Sequence, residues 1–223
     1  MSPVARVAAA VLAIVSLGLV LAGRWHSQPA PIDPVPDVVA PVASTSPAGP
    51  PRPALAPDVP ERIAIPELDF ALGTVAESLG AMAVAYNETH PGANVTRAIY
   101  ASDFHRASWP SNYGAKAGMG STNTTYLTCH SSSIRKLPCN ALAARGAVKL
   151  GYHLVITTRT TEVTYVIERL SLVKKTDFVN SDEMRRKRPG WAVLTVCLLQ
   201  DGRRTEYSWA VFARAVQEKR RGH

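Results

Sequence analysis

The fold is decided by residues 191–216, which read WAVLTVCLLQDGRRTEYSWAVFARAV. Two apolar segments rich in β-branched residues flank a short polar turn that contains Asp201 and Gly202. This order predicts a strand, a turn and a second strand. Cys197 falls at the end of the first strand, where a sheet would hold its thiol next to an open loop. The alternative is that Cys197 is a small buried hydrophobic residue, the usual fate of a free cysteine.

Short strands also account for most of the chain before this hairpin. Residues 62–75, RIAIPELDFALGTV, alternate and are interrupted by Pro66, as in an edge strand or a strand pair. A short helix is expected over residues 78–90 and a Gly-, Ser- and Asn-rich surface loop over residues 109–121. Further strands are predicted at residues 96–100, 124–130, 147–158 and 161–174. A chain of short strands and turns predicts an all-β fold, a closed or nearly closed β-barrel.

The composition excludes several functions. The 223 residues carry a formal net charge of +8, and only 7% of them are aromatic. No nucleic-acid-binding motif, GxGxxG, P-loop or paired-cysteine zinc spacing occurs in the sequence. We therefore predict no nucleic-acid partner and no cofactor, and we expect the basic surface to meet anionic envelope material or to keep the protein soluble.

The N-terminal region predicts attachment to a membrane. Residues 7–23, VAAAVLAIVSLGLVLAG, contain no charge, and their length is at the short end of what crosses a bilayer core of ~30 Å. Such a segment is a cleaved signal peptide or an uncleaved signal anchor. The apolar run is longer than a typical signal core, which favours an anchor within residues 1–26. Either alternative sends the rest of the chain to the extracytoplasmic side.

A stiff spacer follows the apolar segment. Residues 27–61 are dense in Pro, Ala, Val and Ser and show no periodicity. This composition favours extended, polyproline-like chain and cannot bury a core. We therefore expect a linker that holds a folded domain, residues 62–216, away from a membrane surface. Residues 217–223 form a basic tail.

Two predicted strand ends carry side chains that are capable of catalysis. One strand ends in Thr128-Cys129-His130 and the other in Thr195-Val196-Cys197. A cysteine reacts as its thiolate, and a histidine distant in sequence is a common partner for it. The pairing of Cys197 with His130 is one of several that the three cysteines and six histidines allow.

The order of these motifs is more specific than each motif alone. After the predicted anchor and linker comes a strand with the dipeptide Ile65-Pro66, and then a Gly- and Asn-rich loop. The following segments read NTTYLTCHSS (123–132), CNALAARGAVKLGYHLVITT (139–158), TEVTYVIERLSLVKKTD (161–177), LTVC (194–197) and YSWAVFARA (207–215). In this order they resemble the sortases, the membrane-anchored cysteine transpeptidases of Gram-positive envelopes, and in particular the actinobacterial classes E and F. The resemblance implies an eight-stranded barrel over the whole folded part.

The resemblance also assigns roles to individual residues. Cys197 matches the nucleophile and His130 the paired imidazole of the family. The family uses an arginine after the nucleophile, but Ser208 occupies the expected position here. Arg203 and Arg204 lie in the preceding turn, and Arg204 is the better candidate because it is nearer to the strand. Valine before Cys197 is a second departure, and cysteine before His130, where glycine is frequent, is a third.

The implied reaction has two steps. The Cys197 thiolate attacks the carbonyl of a threonine in a C-terminal sorting signal and forms an acyl-thioester. An amine of a peptidoglycan precursor or a pilin lysine then resolves it. His130 would transfer the protons, and the arginine would stabilise the oxyanion. Further candidates for substrate binding are Trp109, Tyr126, Thr195 and Arg203, although core packing is the commoner role for a tyrosine such as Tyr126.

The remaining cysteines, Cys129 and Cys139, are ten residues apart. In an oxidising exterior nearby cysteines often pair, so they form either a disulfide that pins the loop after His130 or two separate thiols. A zinc site is not predicted, because no fourth ligand accompanies Cys129, His130 and Cys139.

Two other functions remain open at this stage. One is a sortase-fold protein that binds a peptide or an envelope polymer without chemistry, which the serine at 208 favours. The other is a different extracytoplasmic cysteine peptidase or an L,D-transpeptidase. An L,D-transpeptidase has histidine and glycine shortly before its cysteine, and residues 193–196 supply neither.

Overall fold

The structure is a computed structural model that describes residues 38–39 and 55–222. All of these residues belong to one compact unit, Val35–His223. The strands of the described residues are β1 (Val38–Val39), β2 (Pro60–Ile65), β3 (Phe70–Glu77), β4 (Ala107–Pro110), β5 (Thr125–Cys129), β6 (His153–Thr158), β7 (Thr161–Lys174), β8 (Trp191–Gln200) and β9 (Arg203–Arg220). The α-helices described are Leu79–Thr89, Asn140–Ala143 and Asp182–Arg185, and 3-10 turns cover Pro66–Leu68 and Lys175–Asp177.

Eight of these strands close into a barrel. Their order is β7-β6-β2-β3-β4-β5-β8-β9, and β9 pairs back with β7. The closing pair is long and antiparallel, and it reaches from Thr161 opposite Arg220 to Lys174 opposite Tyr207. The two-residue strand β1 adds to β7. Closure leaves the eight strands without a free edge, and it confirms the predicted barrel.

The barrel interior is filled by the apolar side chains of alternating strand positions. In β7, Val163, Tyr165 and Ile167 are fully buried, whereas the residues between them are half-buried. Alternation of this kind arises because successive side chains of a strand point to opposite faces of the sheet. The predicted hairpin is present as β8 and β9, with Asp201 and Gly202 in the turn between them.

Three local predictions are wrong. Residues 96–100 form no strand and run as irregular chain along the barrel. The strand predicted from residue 147 begins only at His153, because residues 147–152 turn at Gly151, whose φ is 82°. Trp109 lies on β4 and not in a surface loop, since β4 pairs in parallel with β3.

The N-terminal predictions concern residues that lie mainly outside the described part of the chain. The predicted membrane segment, residues 1–26, lies outside this part entirely, as does most of the predicted linker. Where linker residues are described, they contribute β1 and the start of β2. At the other end β9 continues to Arg220, beyond the predicted start of the basic tail. No helix in the described part of the chain is both long and apolar enough to cross a membrane.

Candidate active site

The site is built where β5 ends beside its parallel neighbour β8. Cys129, the last residue of β5, pairs with Val196. His130 leaves the sheet at this level, whereas Cys197 stays within β8, three residues before its end at Gln200, so the predicted position of Cys197 at a strand end is wrong. Side chains at the same level of adjacent strands point to the same face. Both residues line one cavity of about 570 Å³. They lie 67 positions apart in sequence, and the strand pairing brings them together.

Cys197 is the one free cysteine among the described residues, and it is half-buried. On β9 its partner across the antiparallel pair is Ser208. The carbonyl oxygen of Cys197 accepts a hydrogen bond of 2.6 Å from the Ser131 hydroxyl group. The thiol is thus carried by a strand that is fixed on both sides, and it borders the cavity.

His130 is almost buried, with 7% of its surface exposed. Its ring stacks on Phe104 at a centroid distance of 4.6 Å and meets Tyr100 edge-on at 4.4 Å. Nε2 is hydrogen-bonded to the carbonyl oxygen of Ala101. A carbonyl oxygen only accepts, so Nε2 carries a proton and Nδ1 is the nitrogen that exchanges one in the neutral ring.

Burial lowers the pKa of His130 below its ordinary value of 6.5, because a charged imidazolium loses its hydration inside the protein. The positive charge of Arg204 lowers this pKa further. The hydrogen bond to Ala101 and the negative charge of Glu77 act in the opposite direction but do not outweigh burial. The imidazole is therefore neutral at pH 7, and it is able to accept a proton.

The bulge in the last hairpin explains how an arginine reaches the cavity although serine faces the thiol. Cys197 pairs with Ser208, but Leu199 pairs with Arg204. From the first pair to the second, the chain advances two positions along β8 but four positions along β9. Such bulges re-aim side chains and are frequent beside active sites. Arg204 lines the cavity, whereas Arg203 pairs with Gln200 and is not among the residues that line it.

The loop after His130 is closed covalently. Cys129 and Cys139 form a disulfide whose Sγ atoms are 2.08 Å apart. The Asn140 side chain braces the same loop: its Oδ1 accepts a bond of 2.8 Å from the Ser132 backbone N–H, and its Nδ2 donates to the carbonyls of Ser132 and Arg135. The disulfide and these hydrogen bonds restrict the backbone next to the imidazole.

Two predicted substrate-binding residues lie elsewhere. Trp109 is 6% exposed on β4, and its Nε1 donates a bond of 3.1 Å to the carbonyl of Ala115. Tyr126 packs in an apolar cluster with Phe212 and donates its hydroxyl proton to the Met184 carbonyl. Neither residue lines the cavity. Both residues lie on strands whose residues are all buried.

Thr195 lies at the cavity, two residues before the thiol. It is 3% exposed, and its hydroxyl group donates a bond of 3.2 Å to the carbonyl of Leu127 on β5. Its hydroxyl group therefore ties β8 to β5 two residues before Cys197.

The aromatic wall around His130 was not predicted from the sequence. Tyr100 and Phe104 come from the segment between the helix Leu79–Thr89 and β4, and they reach the imidazole only through the tertiary fold. Arg135 in turn lies over the Phe104 ring, 5.5 Å from its centroid. Within the described residues, no group of three or more His, Cys, Asp or Glu side chains is arranged to hold a metal ion.

Comparisons with known proteins identify the fold. No protein-family model and no curated protein matches the sequence. Among solved structures, sortase C-1 from Streptococcus pneumoniae superposes with a TM-score of 0.50 at 14% identity, over 70% of this chain and 66% of that one. The pilus-related sortase C of Group B Streptococcus has a TM-score of 0.49 at 14% sequence identity, over 73% of this chain and 69% of that one. Sortase A of Listeria monocytogenes has a TM-score of 0.47 at 13% sequence identity, over 74% of this chain and 92% of that one.

The chain therefore has the sortase fold. The matches cited belong to sortase classes A and C, so the predicted resemblance to classes E and F stays a prediction. At these sequence identities, structural similarity establishes the architecture and not the activity.

Proposed function

We propose that this protein is a cysteine transpeptidase of the sortase type. The observation that supports this most is that Cys197, His130 and Arg204, a thiol, an imidazole and a guanidinium, line one cavity where β5 ends beside β8. These are the three groups that acyl transfer through a thioester requires: a nucleophile, a proton carrier and a donor for the oxyanion.

In the first step His130 accepts the thiol proton at Nδ1 as the sulfur of Cys197 attacks the threonine carbonyl of the sorting signal. The C–S bond forms and the carbonyl oxygen becomes an oxyanion. When the tetrahedral intermediate collapses, the C–N bond breaks and the imidazolium returns its proton to the departing amine. The low pKa of His130 suits this return, since a weakly basic imidazole is a strong acid once protonated.

In the second step an amine attacks the thioester. His130 takes a proton from the incoming amine, and the new amide bond forms. The C–S bond then breaks, and the Cys197 sulfur is reprotonated. Arg204 stabilises the oxyanion in both steps. Removal of one oxyanion donor typically costs on the order of 10²–10³ in rate, so activity should depend strongly on this side chain.

The setting of this reaction follows from the N-terminal sequence. The proposal includes a single-pass anchor within residues 1–26, a linker over residues 27–61 and a catalytic domain on the extracytoplasmic side. The partners are then a sorting-signal peptide of a surface protein and an amine acceptor such as a peptidoglycan precursor or a pilin lysine. No cofactor is required by these steps.

The test is a transfer assay with the full chain. Labelled peptides with a central threonine are incubated with glycinamide, and mass spectrometry measures the product in which glycinamide replaces the residues after threonine. We expect product with wild type and none with Cys197→Ala or His130→Ala. The absence of product with wild type, for every peptide of a randomised pool, contradicts the proposal.

Ser208 favours a second candidate, a sortase-fold protein that binds peptides without chemistry. Ser208 is buried opposite the thiol, where the family resemblance places an arginine. The transfer assay separates the two functions. A transpeptidase should form product as wild type and lose it in Arg204→Gln, whereas a binding protein should form no product in either.

A further inference from the structure

The walls of the active-site cavity carry positive charge without matching negative charge. Four cationic side chains line it: Arg97, Arg135, Lys175 and Arg204. None of the described lining residues is an aspartate or a glutamate. No ion pair in the described part of the chain joins any of the four to a carboxylate. A group of unneutralised cations in a cleft concentrates anions there.

One of these cations, Lys175, is anchored to the start of β9. The Lys175 ammonium group donates a hydrogen bond of 2.7 Å to the backbone carbonyl of Thr205, the residue after Arg204. A neutral carbonyl orients the ammonium group but leaves its charge uncompensated, and two of its three protons stay available. This part of the wall is formed by the 3-10 turn Lys175–Asp177 and the start of β9.

A third cation is held by the aromatic wall. Arg135 lies over the Phe104 ring, and the same ring stacks on His130 at 4.6 Å. A guanidinium that lies over an aromatic ring keeps the N–H donors at its edge available for a ligand. The loop that carries Arg135 is pinned by Asn140 and by the Cys129–Cys139 disulfide. Arg135 is therefore positioned before any substrate arrives.

We propose that the substrate carries a carboxylate group and that Arg135 and Lys175 bind it inside this cavity. The inference rests on the proposed function, and it names the chemistry of the substrate. Carboxylates form short, charge-assisted hydrogen bonds with arginine and lysine. Because the cations lie on the walls of a cavity of about 570 Å³ that also contains Cys197, the anion is a group near the reacting bond. The carboxylate belongs either to the acyl-donor peptide or to the amine acceptor.

The first arm of the test measures donor binding to the full chain with Cys197→Ala, so that no reaction is needed. Two pools of fluorescent heptapeptides share a central threonine and randomised neutral neighbours. They differ only in having Glu or Gln beside the threonine. Since a charge-assisted hydrogen bond contributes about as much as a tenfold change in affinity, we expect anisotropy titrations at low salt to give roughly tenfold tighter binding of the Glu pool.

A pair of double variants assigns this preference to the cavity. Arg135→Gln/Lys175→Gln removes two charges from the cavity wall and should remove most of the preference. Lys136→Gln/Arg145→Gln removes the same charge from exposed side chains that do not line the cavity, and it should keep the preference. Thermal unfolding followed by circular dichroism checks that both variants are folded.

The second arm tests the acceptor. Glycine and glycinamide differ in the carboxylate beside the amine, and the ratio of their rates of thioester resolution is measured in wild type and in both double variants. Comparing ratios cancels the intrinsic reactivity of each amine. If the acceptor carries the carboxylate, the ratio should fall in the cavity variant and not in the control.

Each result leads to one conclusion. A Glu preference lost only in the cavity variant assigns the carboxylate to the donor, and a glycine preference lost only there assigns it to the acceptor. Identical behaviour of the cavity and control variants in both arms overturns the proposal. If wild type forms no thioester, the proposed transpeptidase function fails, and the binding arm alone then decides whether the cavity recognises a carboxylate.

Discussion

The Ser131 hydroxyl group donates a hydrogen bond of 2.6 Å to the carbonyl oxygen of Cys197, 66 residues along the chain. Ser131 directly follows His130, so this bond joins the backbone that carries the imidazole to the backbone that carries the thiol. Ser131 is buried, which protects the bond from exchange with water. It links the two halves of the candidate catalytic pair directly.

Loss of this link should slow the reaction without weakening substrate binding. For Ser131→Ala we expect kcat to fall roughly tenfold or more with little change in KM, because small displacements of reacting groups cost up to ~10² in rate. Ser131→Thr keeps a hydroxyl group and should restore much of the rate. Ser133→Ala changes an exposed neighbour and is the matched control. Equal kcat for wild type and Ser131→Ala would contradict the positioning role.

The lowered pKa of His130 should be visible in solution. Burial and the charge of Arg204 both disfavour the imidazolium, so the ring protons of His130 should titrate below 6.5 in NMR spectra. Arg204→Gln should move the pKa upward, towards its ordinary value. Arg203→Gln removes the same charge outside the cavity and should leave it unchanged. An equal effect of the two variants would show that Arg204 has no special place near the ring.

The same shift gives stability a definite dependence on pH. The folded protein binds the His130 proton less readily than the unfolded chain does, since the folded-state pKa is the lower of the two. The free energy of unfolding should therefore fall as the pH drops through ~6.5 towards the folded-state pKa. Above this range both states are neutral at His130, and its contribution is constant. Urea unfolding of wild type and His130→Asn at several pH values measures the difference.

The disulfide should support both stability and rate. Replacing Cys129 and Cys139 by alanine opens the loop after His130, and removing such a bridge typically costs about 2–4 kcal/mol. We expect a lower Tm and, at temperatures where the variant is folded, a lower kcat because the imidazole is less restrained. Wild type in reducing agent should approach the Tm of the double variant. An unchanged Tm in both cases would mean that the bridge contributes nothing to the folded state.

Trp109 should not affect substrate binding. It is buried on β4 with its indole N–H bonded to Ala115, so Trp109→Phe should lower the free energy of unfolding by about 1 kcal/mol, the value of a typical hydrogen bond. KM and kcat should stay as in wild type. Phe104→Ala alters the cavity wall and is the contrasting variant. A raised KM in Trp109→Phe would contradict this prediction and show that Trp109 contributes to substrate binding.

Regular alternation made much of the barrel predictable from sequence. The hairpin around Gly202 and the long strand β7 follow directly from period-two patterns with clear turn residues. Residues 96–100 have strand-like composition but no neighbouring strand to pair with, and composition alone does not reveal this. β4 is only four residues long and ends in Pro110, so its pattern is too short to detect.

The candidate site was predictable to the extent that it depends on strand ends. The prediction that both residues lie at strand ends is right for His130, which follows β5, and wrong for Cys197, which lies within β8. Their common cavity follows from the parallel pairing of β5 with β8. The choice between Arg203 and Arg204 depends on the bulge in β9, which no local pattern reveals. The aromatic wall of Tyr100 and Phe104 depends on the path of an irregular segment, and it was missed for that reason.

The central claim is that the thiol at 197 is acylated with the help of the imidazole at 130. The most direct measurement is the intact mass of the full chain after incubation with threonine-containing peptides, with and without hydroxylamine. We predict an added acyl mass that maps to Cys197, disappears with hydroxylamine, is absent in Cys197→Ala and forms much more slowly in His130→Ala. An adduct that persists in Cys197→Ala, or that forms equally fast without His130, would contradict the account.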